Sequence, residues 1–185
     1  MKQNKYDDNA FFRKYSQMDR SVKGLEGAGE WKTLERLLPD FHDKHVLDLG
    51  CGFGWHCRYA AEHGAASVLG VDISAKMIAK ARSMGNEGII EYRCMPMEDI
   101  LLPEASFDIV LSSLAFHYTP DFQAVCRNVS RWLKPEGAFI FSVEPFSPPR
   151  ERRTGITMNP ARSCTGPWTA ISWKDRGRPF SWGRK

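Results

Sequence analysis

The sequence has no Cys-x-x-Cys pair, no long apolar run, no internal repeat and no strong excess of either charge. Each absence removes a class of protein. Five cysteines, at 51, 57, 94, 126 and 164, form an odd set without paired spacing, which argues against a disulfide or zinc framework and for reduced thiols in a cytoplasmic protein. No metal is expected. The polar start Met1-Lys2-Gln3-Asn4-Lys5 has no apolar run behind it, so neither a secretory leader nor a membrane span is expected. A formal net charge of +4 is mild and much of the excess follows Arg150, so nothing points to a nucleic-acid partner. What is present is 42% hydrophobic content over 185 residues, enough for one core in one domain.

The most informative stretch is Val-Leu-Asp-Leu-Gly-Cys-Gly-Phe-Gly at 46–54, an apolar strand that carries an acid and runs into three alternating glycines. Gly50, Gly52 and Gly54 allow a sharp turn and a close approach of backbone to a ligand, and Asp48 sets a carboxylate near the strand's end. A second buried strand follows and ends at Asp72, roughly 20 residues after the glycine turn, the distance at which a carboxylate accepts from ribose hydroxyls. A capping role for the helix that starts near Ser74 is the competing reading of Asp72. A dinucleotide fingerprint, Gly-x-Gly-x-x-Gly, would need glycine where Trp55 stands, and Asp48 would repel a pyrophosphate. It would attract an ammonium group instead, such as that of S-adenosylmethionine.

On these residues the chain resembles the class I S-adenosylmethionine-dependent methyltransferases of the methyltransferase type 11 kind. The resemblance covers residues 10–144. It continues through Val71-Asp72-Ile73-Ser74, Ser106-Phe107-Asp108-Ile109-Val110 and Leu133-Lys134-Pro135-Glu136-Gly137. It implies an α/β doubly wound, mostly parallel sheet with S-adenosyl-L-methionine as cofactor; a small-molecule acceptor is expected from the lack of a basic, aromatic-laced surface or an appended recognition domain. The pattern of the chain agrees: strands are predicted near 45–49, 67–71, 89–94, 107–112 and 137–143, and helices near 54–63, 74–84 and 121–133. Residues 1–44 read as a helical segment over the cofactor mouth, with Phe11, Phe12 and Tyr15 at helical spacing and a helix through Trp31, Leu34, Leu37 and Leu38 that stops at Pro39.

The resemblance also assigns roles. Asp48 is expected to hold the methionine ammonium, Asp72 the ribose, and Ile73 to flank the adenine. The acid that usually meets the adenine amine is missing, since Pro96-Met97-Glu98 stands where relatives have Asp-Ala-Glu; backbone at Met97 and Glu98 is the expected substitute. Ser113 and Leu114 are expected to serve by backbone where the methionine arm meets the acceptor. Tyr15 and Phe116 are the aromatic candidates for the sulfonium. His117 is the candidate general base, if the acceptor must lose a proton, or else a structural histidine. Two rivals remain: a non-catalytic cofactor-binding remnant, and a nicotinamide-dependent oxidoreductase, which Asp48 and Trp55 disfavour.

The domain reading is therefore 1–44, a helical segment; 45–144, the cofactor-binding core; and 145–185, an atypical tail expected to be disordered and to lack the strand pair that relatives add after the fifth strand. That tail is rich in Arg, Pro, Ser, Thr and Trp and has neither helical period nor strand alternation. Codons can be chosen for 154–176 so that the frame one nucleotide earlier reads D-W-Y-Y-D-E-S-G-K-I-L-H-W-P-V-D-R-Y-F-L-E-G-Q. The expectation is a change of frame near Glu144, which sequencing the gene decides. Without the strand pair, residues 139–143 would be an open edge.

Overall fold

The structure, a computed structural model, describes residues 4–85 and 88–143 and the backbone of two later strands. After a 3-10 turn at Lys5–Asp7 come α1 (Asn9–Ser16), α2 (Asp19–Val22), a second 3-10 turn at Gly24–Gly27, and α3 (Trp31–Glu35). Asp8 caps α1 by accepting from Phe11 N–H at 2.8 Å. Trp31 and Leu34 are buried against the core. The helix expected to run through Leu38 ends at Glu35. Single-turn bonds, Leu37 N–H to Leu34 O and Leu38 N–H to Glu35 O, carry the chain to Pro39, whose ring disfavours a helical residue before it.

Strands and helices then alternate: β1 (His45–Leu49), α4 (Trp55–Glu62), β2 (Ser67–Asp72), α5 (Ala75–Ser83), β3 (Ile90–Cys94), β4 (Phe107–Ser113), α6 (Phe122–Trp132) and β5 (Leu133–Ser142). The five strands form one sheet in the order β3-β2-β1-β4-β5, and every pairing is parallel. This is the doubly wound fold that the apolar strands predict. Successive strand residues face opposite sides. Val46, Val68, Ile109 and Ile140 pack with Cys57 and Ala60 of α4 and Ile78 of α5. Leu47, Leu49, Val110 and Phe139 pack with Val125 and Val129 of α6. The strand order turns back on itself at β1, and the crevice outside the strand ends at that point is where open α/β sheets bind ligands.

β5 begins at Leu133, earlier than its expected start, because Leu133 pairs with Phe107 before a register shift across Pro135 and Glu136 resumes the ladder at Ala138. Phe139, Ile140 and Phe141 are all buried, so both faces of β5 are covered, while β5 stays at the edge of the five-stranded sheet as expected. The five-stranded sheet gains no further strand among the described residues. Two further strands, β6 (Ile156–Pro160) and β7 (Thr169–Trp173), pair antiparallel as a separate sheet, with β7 beside β5, and neither joins the five-stranded sheet. Thr, Ile and Trp in these segments are strand-favouring residues, a signal masked by the short length of each run. The expected change of frame near Glu144 begins on residues outside the described set.

Candidate functional site

A cleft of about 290 Å³ opens at the carboxyl ends of β1, β2 and β4. Its floor is the glycine turn. The N–H groups of Gly50 and Cys51 both donate to Val71 O, at 2.7 and 3.0 Å, which ties the turn to β2. Gly50, Gly52 and Gly54 have φ of 77°, 54° and 73°, a region that costs other residues strain. Their surroundings differ. A Cβ on Gly50 would lie 2.3 Å from Ala115 Cβ, and one on Gly54 would lie 2.2 Å from the Tyr92 hydroxyl. A Cβ on Gly52 would meet nothing within 4 Å, and Gly52 lines the cleft. Gly50 and Gly54 are therefore required by the protein's own packing, whereas the space over Gly52 is left for something else.

Asp72 stands beside that space. Its Oδ2 accepts from Gly52 N–H at 2.9 Å and its Oδ1 from Ser74 N–H at 2.9 Å. Burial pushes its carboxyl up, and the two N–H donors oppose the shift. Each oxygen keeps a lone pair for a further donor. The capping role belongs to Ser74, whose Oγ accepts from Met77 N–H at 3.2 Å and donates to Asp7 Oδ1 at 2.6 Å.

Asp48 does not line the cleft. Strand alternation turns it to the α4 side, where it is 1% exposed and its Oδ2 accepts from the Cys57 thiol at 3.3 Å. Its Oδ1 has no partner. Burial, with a contribution from the Asp72 charge, pushes its carboxyl up to about 7 against the Cys57 bond. An orphaned buried carboxylate oxygen behind the turn, an open space over Gly52 and a carboxylate at the end of β2 fit a nucleoside that carries a cationic amino group.

The other expected residues Tyr15, Ile73, Met97, Glu98, Ser113, Leu114 and His117 all line the cleft with Gly50, Gly52 and Asp72. Leu114 takes a left-handed φ of 53°, and its N–H is already held by Ser142 O at 2.9 Å and Ser142 Oγ at 3.1 Å. Its backbone can thus offer a ligand a carbonyl but not its N–H, which corrects half of its expected role. Phe116 is corrected outright. The 3-10 turn Phe116–Tyr118 directs it inward to a ring cluster, 5.5 Å from Phe122 and 5.4 Å from Phe141, while His117 and Tyr118 face the cleft.

Sequence reasoning missed several lining residues. Tyr6 and Phe11 complete an aromatic wall with Tyr15, and Tyr6 Oη lies 3.0 Å from Tyr118 Oη across the mouth. Asp7 holds this segment down by accepting at Oδ1 from Lys76 N–H at 3.1 Å as well as from Ser74. Arg20 also lines the cleft and is paired to buried Glu30 at 2.6 Å. The Phe11 and Tyr15 spacing predicted a helix over the mouth, but nothing in the sequence marks Tyr6, Arg20 or Glu30. Among the described residues no helix is long and apolar enough to cross a membrane, and no cluster could hold a metal ion.

Three comparisons bear on this geometry. The family described as a methyltransferase domain matches residues 47–141. An uncharacterized protein of Haemophilus influenzae is 37% identical over 145 residues, 75% of this chain and 57% of its own length. The ubiquinone biosynthesis O-methyltransferase of Neisseria meningitidis serogroup C is 33% identical over 157 residues, 77% of this chain and 65% of its own length. A solved S-adenosylmethionine-dependent methyltransferase from Mesorhizobium loti superposes with a TM-score of 0.64 at 48% identity, covering 65% of this chain and 56% of the other. The chain thus spans less than two thirds of each of these relatives. With a glycine turn at the strand-order reversal and an acid at the end of the next strand, it belongs to the methyltransferase-domain family of S-adenosylmethionine-dependent enzymes.

Proposed function

We propose that the protein is an S-adenosylmethionine-dependent methyltransferase acting on a small-molecule acceptor. The observation that carries the reading is the pairing of an open Gly52 with the Asp72 carboxylate at one strand-order reversal. Bound there, the cofactor supplies a methyl group on a sulfonium, which transfers by in-line displacement. Asp72 accepts from the ribose hydroxyls with the lone pairs its two backbone donors leave. Ile73, Met77 and Met97 give the adenine apolar faces, and the backbone at Met97 and Glu98 meets its edge. Asp48, outside the cleft and behind the turn, acts on the ammonium of the amino acid arm by its charge or through a water at its orphaned Oδ1.

The chemistry asked of the protein is positioning and exclusion of water. Tyr6, Phe11 and Tyr15 roof the cleft and present ring faces that tolerate a cation without reacting with it. His117, exposed at the mouth, is the group we assign to take a proton from an acceptor hydroxyl at a ring nitrogen. An O-methyltransferase among the relatives agrees with an acceptor of that kind. Calorimetry with S-adenosylhomocysteine tests the reading. The parent should bind it, and Asp72→Ala should bind more weakly by about 1.5–3 kcal/mol, the range for hydrogen bonds to a charged group. Binding of NADH in place of the homocysteine nucleoside, or an Asp72→Ala variant that binds like the parent, would overturn it.

A further inference from the structure

The roof and mouth of the cleft differ in chemistry from its β2 side. Among the described residues the acids that line the cleft are Asp72, at the end of β2, and Glu98, after β3, where the ribose and adenine are placed above. Arg20 lies across from them, and its charge is cancelled: its Nη2 donates to Glu30 Oε1 at 2.6 Å, and the same Oε1 accepts from Ser113 Oγ at the end of β4. The described roof and mouth thus hold no acid to meet an ammonium and no uncancelled cation, His117 apart, to meet a phosphate. An ion drawn in there would lose its water without compensation.

Rings take the place of charges. The Tyr6 ring has Phe11 at 5.1 Å, Tyr15 at 5.3 Å and Tyr118 at 5.8 Å between centroids, at interplanar angles of 90°, 90° and 86°, and His117 lies against Tyr118. All of them line the cleft. Edge-to-face contact is what the ring quadrupole favours, so a flat aromatic guest extends this set, whereas an aliphatic guest of equal area is merely buried. A polar handle sits in the same wall. Tyr6 Oη and Tyr118 Oη are 3.0 Å apart, and since one proton serves their shared bond, the other is left for a ligand oxygen. Burial, with the Tyr118 bond, pushes the Tyr6 hydroxyl well above its ordinary value, so it stays a neutral donor.

We propose that the methyl acceptor is an uncharged aromatic hydroxyl compound, its ring against the wall of Tyr6, Phe11 and Tyr118 and its hydroxyl at His117. The inference rests on the methyltransferase reading above and names the substrate class of that site. In the step the hydroxyl proton passes to a His117 ring nitrogen and an oxygen lone pair forms the bond to the methyl carbon. The carbon–sulfur bond breaks with its electron pair going to sulfur, which leaves S-adenosylhomocysteine and a methyl ether. A phenol releases its proton near about 10, against about 15.7 for water, which aliphatic alcohols resemble. The aromatic hydroxyl therefore asks less of a histidine base.

The test titrates the full chain, saturated with S-adenosylhomocysteine, with p-cresol, with 4-methylcyclohexanol of similar bulk, and with phosphoethanolamine, by ligand-observed NMR. p-Cresol should bind about five- to fiftyfold more tightly than the alcohol, from ring contacts worth about two- to tenfold each, and phosphoethanolamine should not compete. Phe11 is exposed, so Phe11→Leu should fold; it keeps apolar bulk and removes a ring that lies outside the Tyr6–Tyr118 bond. It should narrow the preference by about two- to tenfold, while the alcohol, which finds similar apolar bulk, changes by no more than about twofold. A purely structural role would weaken both alike. With S-adenosylmethionine in place of the homocysteine nucleoside, p-cresol should be converted to its methyl ether faster than the alcohol. A parent that takes up S-adenosylhomocysteine but favours the alcohol or phosphoethanolamine, binds none of the probes, or binds p-cresol without methylating it overturns the acceptor class and leaves the cofactor reading standing. So does an unchanged preference in Phe11→Leu. A parent that does not take up S-adenosylhomocysteine overturns both.

Discussion

Replacing Asp48 by Asn should flatten one component of the protein's stability against pH. The native carboxyl titrates at about 7, raised chiefly by burial, against an ordinary value of 3.8. Between those values the native state keeps a proton that the unfolded chain has released. Stability from this group is therefore complete below the ordinary carboxylate range and is lost as pH rises towards 7. A shift of about three units at about 1.4 kcal/mol each gives a loss of about 4 kcal/mol. The amide keeps an acceptor for the Cys57 thiol, while its NH₂ group inherits the unpaired Oδ1 position, a cost of about 1–3 kcal/mol that does not vary with pH.

The parent curve alone does not reveal this slope, because half-buried His56 opposes it. Burial, helped by the Arg20 charge, pushes the His56 imidazole down to about 4 from 6.5. In that window the unfolded chain binds the extra proton, so stability rises with pH. The quantity to measure is the difference between Asp48→Asn and parent in urea unfolding free energy, without ligand, from pH 4 to pH 8. It should move in favour of the variant across the window and level off above about 7. Parallel curves would mean that Asp48 is already ionised in the folded protein, and its assignment as a site waiting for an ammonium would fall.

The glycines should separate by role: Gly52→Ala should fold with a loss of about 1–2 kcal/mol from its left-handed backbone yet bind S-adenosylhomocysteine at least tenfold more weakly, read by thermal melts and calorimetry. Gly50→Ala should fail to give a folded protein, because its methyl meets Ala115 Cβ at 2.3 Å; equal behaviour of the two variants would contradict the division. Turnover with an identified acceptor should rise with pH as the base at His117 loses its proton, and be lost in His117→Ala. Retained activity with a flat profile removes the base role and leaves a histidine whose ring lies tilted against Tyr118, 4.1 Å between centroids.

What could be read in advance was whatever the chain repeats. The strands of the sheet were legible because both faces are covered, so runs such as Phe107-Asp108-Ile109-Val110-Leu111 stay apolar over their length, and the glycine turn was legible because close backbone approach leaves few residue choices. Asp72 could be placed by its distance from that turn. Arg20 and Glu30 could not, since each is a single charge on a short helical segment that acquires meaning only by docking on Ser113. Phe116 was misplaced for a related reason. A three-residue turn has no period to tell which of Phe116, His117 and Tyr118 faces inward, and packing against Phe139 and Phe141 decides it.

The clamp that Asp7 and Tyr6 form has a consequence for the order of events during synthesis. These residues leave the ribosome before their partners do: Ser74 and Lys76, the partners of Asp7, lie 67 and 69 residues further along the chain, and Tyr118, the partner of Tyr6, lies 112 residues further. Contacts of such long separation form late. This segment must therefore wait, without all of its native partners, until the turn that follows β4 has been made, and the roof closes over strands β1 to β4.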